Sequence, residues 1–364
     1  MASTWGENIK LSIFGGSHTE AIGVVLDNLP PNEKIDMEKI RVQMARRAPG
    51  NDPAATRRRE TDTPEILSGL LNGRTTGAPL AALIRNSDTR SQDYVNLSLV
   101  PRPGHSDFSA FFRYGGWNDI RGGGHFSGRI TAASVAAGSI CEHILAQRGI
   151  KVYTHIARCA GVEDAPLSSS AGLIMAEPQP GHFALLDPEK EAPMQAAIRA
   201  AGAEGDSVGG ILETVITGVP AGIGEPFFDS VESEIAHLAF AIPAVKGIEF
   251  GAGFAFADLR GSQANDPFTM RDGKVVTATN KNGGINGGIA NGMPIVFRTA
   301  VKPTPSIYKE QDTVDYIAKA DAKLQIKGRH DPCIVPRAAV VQNTLAAFAV
   351  LDLLTVRYGT LGQK

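Results

Sequence analysis

Four short stretches of the sequence join glycine to histidine or arginine, a pairing able to hold an anion and to move a proton. The first, residues 14–23 (FGGSHTEAIG), sets Ser17 and His18 directly behind two glycines that let the chain turn sharply. An imidazole at such a point acts as acid or base near neutral pH; a surface histidine in a hairpin is the other reading. The second stretch places Arg46 and Arg47, and then Arg57, Arg58 and Arg59, on either side of residues 48–56 (APGNDPAAT). Guanidinium groups grip phosphate and carboxylate by paired hydrogen bonds, although a basic run is also the ordinary solvated end of a helix.

The third stretch is the richest. Arg102-Pro103-Gly104-His105 is followed by residues 121–129 (RGGGHFSGR), which open a segment of small residues. Three glycines ahead of a helix expose backbone N–H groups where the helix dipole favours anions; a purely structural glycine turn is the alternative. Neither the Gly-Lys-Ser/Thr of a P-loop nor the G-x-G-x-x-G spacing of a dinucleotide fold is present. The fourth group gathers residues 282–288 (NGGINGG), 302–306 (KPTPS) and 328–332 (GRHDP). Asp331 there is either the N-cap of a following helix or part of a buried polar site. Together the four groups point to an anionic ligand carrying at least one phosphate, handled by acid–base histidines and a carboxylate.

Periodicity supplies the elements that would position them. Alternation over residues 8–14 and 22–26 predicts two strands, joined by the Gly15-Gly16 turn. Asp36 begins a helix through Ala45, with Glu38 early and Arg46-Arg47 late, as the dipole prefers. Helices are expected over 130–147, 188–202 and 341–354, the last apolar on most faces and therefore buried. Residues 211–219 and 295–301 read as strands. Residues 22–30 (IGVVLDNLP) and 210–220 (GILETVITGVP), each ahead of a helix, echo one another, by duplication or by chance. No Pro/Ser/Gly linker divides the chain, so one interleaved α+β domain over residues 1–364 is expected, layered rather than strictly βαβ.

Composition limits the functions open to such a chain. With 364 residues, 43% hydrophobic and 20% charged, it is ordinary for a soluble globular protein. A net charge of −2 argues against a broad nucleic-acid or anionic-membrane surface. The three cysteines, Cys141, Cys159 and Cys333, have neither zinc spacing nor a disulfide pattern, which favours a reducing compartment and no metal. The N-terminus has no signal-peptide pattern, and residues 130–145 are too short and polar to span a bilayer. The cytoplasm is the expected location.

Read in order, the runs GGSHTEAIG, RRAPG, ETDTPEILSGLLNGRTTGAPL, RSQDY, RPGHSDF, RGGGHFSGRITAASVAAG, EGDSVGG, GVPAGIGEP, IPAVKGIEFGAGF, NGGINGGIANGMPI, KPTPSI and GRHDPCIVPRA resemble the chorismate synthase family along nearly the whole chain. The resemblance implies helices sandwiched between two antiparallel sheets, a homotetramer, and a deep site for reduced FMN beneath 5-enolpyruvylshikimate 3-phosphate. It implies a 1,4-anti elimination of phosphate without net redox change, and an external, NADP-linked flavin reductase. By position it makes His18 the acid near the departing phosphate, His105 the group beside the flavin, and Asp331 the carboxylate for the C6 proton. Ser17 and Ser127 would assist by hydrogen bonding.

The same resemblance gives the anionic substrate Arg47, Arg102, Arg129 and Arg329. It gives the flavin His125, Phe126, Ser127, Pro243, Ala244, Gly287, Lys302, Pro303, Thr304, Pro305, Ser306 and Arg329. The sequence departs from the family pattern at Gly16 and Thr19, at Pro53, and at His125-Phe126, where Arg-Ser is commonest. That last change makes His125 a possible third titrating group. The competing readings are a non-catalytic phosphate- or nucleotide-binding regulator, a flavin-linked oxidoreductase, and an inactive relative.

Overall fold

The computed structural model describes residues 3–49, 62–87, 100–167, 178–326 and 330–360. Pro53, the Arg57–59 run and Arg329 lie outside these described residues.

Ten strands form two antiparallel sheets. The first holds β1 (Thr4–Trp5), β2 (Lys10–Gly15), β3 (Ala21–Asp27), β4 (Glu65–Ile66) and β5 (Leu80–Arg85), in the order β1-β2-β3-β5-β4. The second holds β6 (Lys151–Cys159), β7 (Val162–Glu163), β8 (Gly210–Thr217), β9 (Val245–Phe250) and β10 (Ile295–Val301), in the order β9-β10-β8-β6-β7. The helices of eight or more residues are α1 (Met37–Arg47), α2 (Asp107–Tyr114), α3 (Thr131–Ala146), α4 (Glu191–Ala203), α5 (Val231–Ala241) and α6 (Val335–Tyr358). Helix α3 lies on β3 and β5 and α6 on β6 and β8, while α3 and α6 pack on each other between the sheets. One hydrophobic core runs through these layers, from Ile9 and Leu26 to Phe297 and Phe348.

The two halves share a topology. In the first, β2, β3, α1, β4, β5 and α3 come in that order, with α2 inserted before α3, and β3 lies between β2 and β5 with β4 at the edge. In the second, β6, β8, α5, β9, β10 and α6 repeat that order, and β8 lies between β6 and β10 with β9 at the edge. The two segments that echo in sequence are thus the central strands of the two sheets, each leading to a helix. This coincidence favours duplication over chance.

Local chemistry explains the helix boundaries. The Asp36 side chain accepts from the Glu38 N–H at 2.9 Å and caps α1, as its sequence suggested. Helix α6 begins at Val335, earlier than the apolar periodicity indicated, because Pro336 fits the first turn, where no N–H is needed. It is long and apolar enough to cross a membrane, but 94% of its apolar window is buried inside the protein. Near its far end, the buried Asp352 accepts the N–H groups of Glu7, Asn8 and Ile9 at 2.7, 2.9 and 2.6 Å, tying the N-terminal strands to the core.

The small residues of α3 let α6 come close. A Cβ added to Gly138 would lie 2.3 Å from the Thr344 carbonyl oxygen, well inside contact distance. Gly138→Ala should therefore force the helices apart and destabilise the protein by about 1–3 kcal/mol, the usual cost of overpacking. Urea unfolding measures this, and an unchanged midpoint would show that the contact is not tight.

Candidate active site

A cavity of about 760 Å³ opens among the loops at the start of α3 and α6. His18, His105, His125, Phe126, Ser127, Arg47, Arg102, Arg129, Pro243, Ala244, Lys302, Thr304, Pro305, Ser306 and Asp331 all line it. Ser17 is fully buried and bonded to His18. Gly287, in the hairpin of Ile285–Asn286 with Ile289–Ala290, and Pro303 do not line the cavity.

The glycine run at 122–124 packs the two histidines rather than leading straight into a helix. All three glycines have positive φ, and a 3-10 turn at Gly128–Ile130 intervenes before α3. A Cβ on Gly122 would meet the His18 ring at 2.2 Å, and one on Gly123 would come within 3.5 Å of His105 Cε1. At Gly122 a side chain would collide with the His18 ring, whereas at Gly123 a Cβ would only touch His105 and it is the positive φ that favours glycine. The Ser17 hydroxyl lies 2.9 Å from the Gly122 carbonyl, to which it donates, and 3.0 Å from His18 Nδ1. The hydrogen bond between Oγ and Nδ1 holds the ring against the turn. Ser127 has a local task as well, its Oγ accepting from the Arg129 N–H at 3.3 Å to cap the 3-10 turn.

Each arginine lining the cavity has a carboxylate partner. Buried Asp62 lies between Arg47, 2.8 Å away, and Arg129. Burial alone would raise the Asp62 pKa, but the two guanidinium groups outweigh it and hold the carboxyl below its usual range. Burial, helped by the charge of Arg337, lowers Arg47 to about 10 against the opposing pull of Asp62, so it stays charged at neutral pH. Arg47 also donates to the Gly128 carbonyl at 2.7 Å, and Arg129 to Asn86 Oδ1 at 3.0 Å. Arg102 grips Asp107 through Nε at 2.7 Å and Nη2 at 2.8 Å, and Asp107 Oδ1 also lies 2.6 Å from His105 Nδ1. Although burial would raise the Asp107 carboxyl, hydrogen bonds from Arg102 and His105 hold it well below the ordinary carboxylate range.

Asp331 pairs with Arg337 at 2.6 Å, and Arg337 Nε donates to the Arg47 carbonyl at 2.9 Å. The helix-cap reading of Asp331 is thereby overturned: the N-cap of α6 is Ile334, and no side chain caps it. His125, too, has both ring nitrogens engaged by the protein. Its Nδ1 donates to the Gly15 carbonyl at 2.8 Å and its Nε2 meets Ser3 Oγ at 3.1 Å, so it bridges the end of β2 to the N-terminal segment.

Asp62, Asp107 and Arg337 escaped the sequence reading. They stand inside the runs ETDTPEIL, RPGHSDF and GRHDPCIVPRA; the missed signal for Asp107 and Arg337 was a partner of opposite charge five or six residues away, and Asp62, whose described partners lie farther off, had none. Among the described residues around the cavity, five cationic side chains (Arg47, Arg102, Arg129, Arg337 and Lys302) face three carboxylates.

Residues 9–355 match the family model described as chorismate synthase. The chain belongs to the chorismate synthase family of lyases. It is 46% identical to the chorismate synthase of Thermococcus kodakarensis over 356 residues, 97% of each chain. It is 45% identical to that of Pyrococcus abyssi over 354 residues, again 97% of each. To the Methanosarcina mazei chorismate synthase it is 44% identical over 350 residues, 96% of this chain and 95% of that one. A solved structure titled "Crystal Structure of Chorismate Synthase" superposes with a TM-score of 0.74 at 28% identity, covering 98% of this chain and 94% of the other. The family fold, helices between two antiparallel sheets, is the one observed.

The depressed carboxyls make stability depend on pH in a defined direction. Asp62 and Asp107 bind protons more readily unfolded, near a pKa of about 3.9, than folded, so their stabilisation is complete above that value and fades as pH falls through it. Urea midpoints should begin to drop as pH falls below about 4 and should go on dropping with further acid, because both folded carboxyls titrate below their unfolded value. Asp62→Asn leaves two buried guanidinium groups without their shared carboxylate, which should cost about 3–5 kcal/mol at neutral pH and flatten the acid limb. An acid limb identical to that of the unaltered protein would contradict this account.

Proposed function

We propose that this protein converts 5-enolpyruvylshikimate 3-phosphate to chorismate, with reduced FMN as cofactor. The observation that carries this reading is one cavity in which two histidines, a carboxylate and a surplus of arginine charge face each other. The cavity lies well within the size range of small-molecule sites. In the elimination, the C3–O bond breaks, phosphate leaves with the electron pair, and C6 gives up a proton.

The residues present suit a planar, phosphate-bearing ring. Pro243, Ala244 and Pro305 offer an apolar wall, Phe126 an aromatic edge, and Lys302, Thr304 and Ser306 polar groups. Reduced FMN bound there supplies electron density as phosphate leaves and recovers it afterwards, so no net oxidation results. Arg47 and Arg129, held by Asp62, and Arg102, held by Asp107, set a positive field for the phosphate and carboxylates of the substrate. Arg329 is assigned to the same task by resemblance alone. His18, oriented by Ser17, gives a proton to the departing phosphate. His105 would stand beside the flavin, and Asp331 would receive the C6 proton on a carboxylate steered by Arg337. Ser127 shapes the turn between the substrate arginines and the flavin, and His125 holds the adjoining wall. Gly287 and Pro303 receive no contact in this reading.

The chain acts as one domain in the cytoplasm, as a homotetramer, and takes reduced flavin from an external, NADP-linked reductase. Support for association comes from exposed aromatic side chains at Phe227, Phe228 and Phe254, which a lone subunit would leave in water.

The deciding assay is anaerobic. With chemically reduced FMN, chorismate should accumulate in large excess over flavin and without consumption of nicotinamide cofactor. Absence of product sinks the proposal, and stoichiometric nicotinamide use would indicate an oxidoreductase instead. His18→Ala and His105→Ala should each lower kcat by roughly 10²–10⁴-fold, the span of general acid–base groups. Asp331→Ala should lose turnover yet still bind flavin, and full turnover in that variant would remove Asp331 from the mechanism.

A further inference from the structure

We infer that Asp107 is the positioning residue for His105, holding its ring with the hydrogen on Nδ1 and Nε2 turned to the cavity. The inference rests on the proposed role of His105. The carboxylate Oδ1 lies 2.6 Å from His105 Nδ1, and a carboxylate that stays ionised offers only lone pairs, so the hydrogen between them belongs to the ring. Arg102 Nη2 lies 3.0 Å from the same nitrogen. It has no lone pair to offer and Nδ1 has none left, so the contact is an approach enforced by the oxygen both groups share. The carboxylate itself cannot turn away. Arg102 holds it through Nε at 2.7 Å, Nη2 at 2.8 Å and its main-chain N–H at 3.1 Å.

The backbone builds this arrangement locally. The His105 N–H donates to the Arg102 carbonyl at 3.2 Å, closing a turn that puts both side chains on the side of Asp107, the first residue of α2. On the far side of the ring, the Cε1–Nε2 edge faces Gly123, where a Cβ would come within 3.5 and 3.6 Å. The ring is therefore clamped at Nδ1, and glycine at 123 leaves space beside its Cε1–Nε2 edge. An imidazole without the carboxylate would have no reason to keep that face. Arg102 thus acts on the histidine as well as on the anions, through Asp107.

The test reads the ring itself, in protein carrying ¹⁵N-labelled histidine and no flavin, at alkaline pH where neutral imidazole prevails. The His105 signals, assigned by their loss in His105→Gln, should show hydrogen on Nδ1. In Asp107→Ala they should move to the Nε2-protonated form that free imidazole prefers, and Asp107→Glu should restore part of the original signal. Turnover with reduced FMN should fall about 10- to 100-fold in Asp107→Ala, as for other groups that orient a working histidine. Hydrogen on Nε2 in the unaltered protein would overturn the inference, and so would an unchanged tautomer in Asp107→Ala. Should the alanine variant fail to fold, the unaltered protein and Asp107→Glu still decide it. A correct tautomer in a protein that makes no chorismate would refute the proposed reaction and leave the role of Asp107 standing.

Discussion

A guanidinium taken out of water needs a counter-charge within hydrogen-bonding reach, and this constraint organises the cavity. Asp62 serves Arg47 and Arg129 together, Asp107 serves Arg102, and Asp331 serves Arg337. In the Asp62 cluster the partners come from distant stretches of chain: Asp62 precedes β4, Arg47 ends α1, and Arg129 stands just before α3. Forming these pairs closes the loops around the cavity at the same time as it neutralises the arginines. The charged groups are consequently in place before any ligand arrives, and little side-chain freedom remains to be lost on binding.

Neutralisation is incomplete, and the remainder has a direction. Lys302 adds a cation with no carboxylate of its own among the cavity pairs, donating instead to the Gly104 carbonyl at 2.6 Å. Among the described residues, Asp62 is shared by two arginines, in surroundings where burial weakens screening. A ligand with several negative charges completes the balance that the protein leaves open, whereas a neutral one does not. The field thus selects for charge number before any single contact selects for shape.

Much of the fold was legible because it rests on short-range rules. Alternation marked β2, β3 and β10, the Asp36 cap marked α1, and the small residues of α3 announced a close helix contact that Gly138 and Thr344 supply. The site was legible only as a set of residue types. Nothing in the spacing of Arg47 and Asp62 tells that they touch, since the loop between them can close in many ways. The 122–124 glycines looked like an anion-binding helix start, yet their φ values and the His18 and His105 contacts make them a packing surface for two rings. The partners of His125, Ser3 ahead of β1 and Gly15 at the end of β2, lie more than a hundred residues away in sequence. Pairings of this kind are products of tertiary structure, and a single sequence carries no local trace of them.

The repeated topology accounts for where the cavity lies. Helices α3 and α6 hold equivalent places in the two halves and are packed together at the centre of the sandwich. Thr131 at the start of α3 and Ile334, Arg337 and Ala338 at the start of α6 all line the cavity, so both helices begin at its wall. A helix start carries partial positive charge from its unpaired N–H groups, and two of them converging add to the arginine field in the same sense. The halves then diverge in the loops ahead of those helices. The first half supplies the histidine–glycine turn before α3, and the second supplies Asp331 before α6. A duplicated scaffold thereby gives one cavity two unlike walls, one built from histidine and glycine and the other carrying a carboxylate.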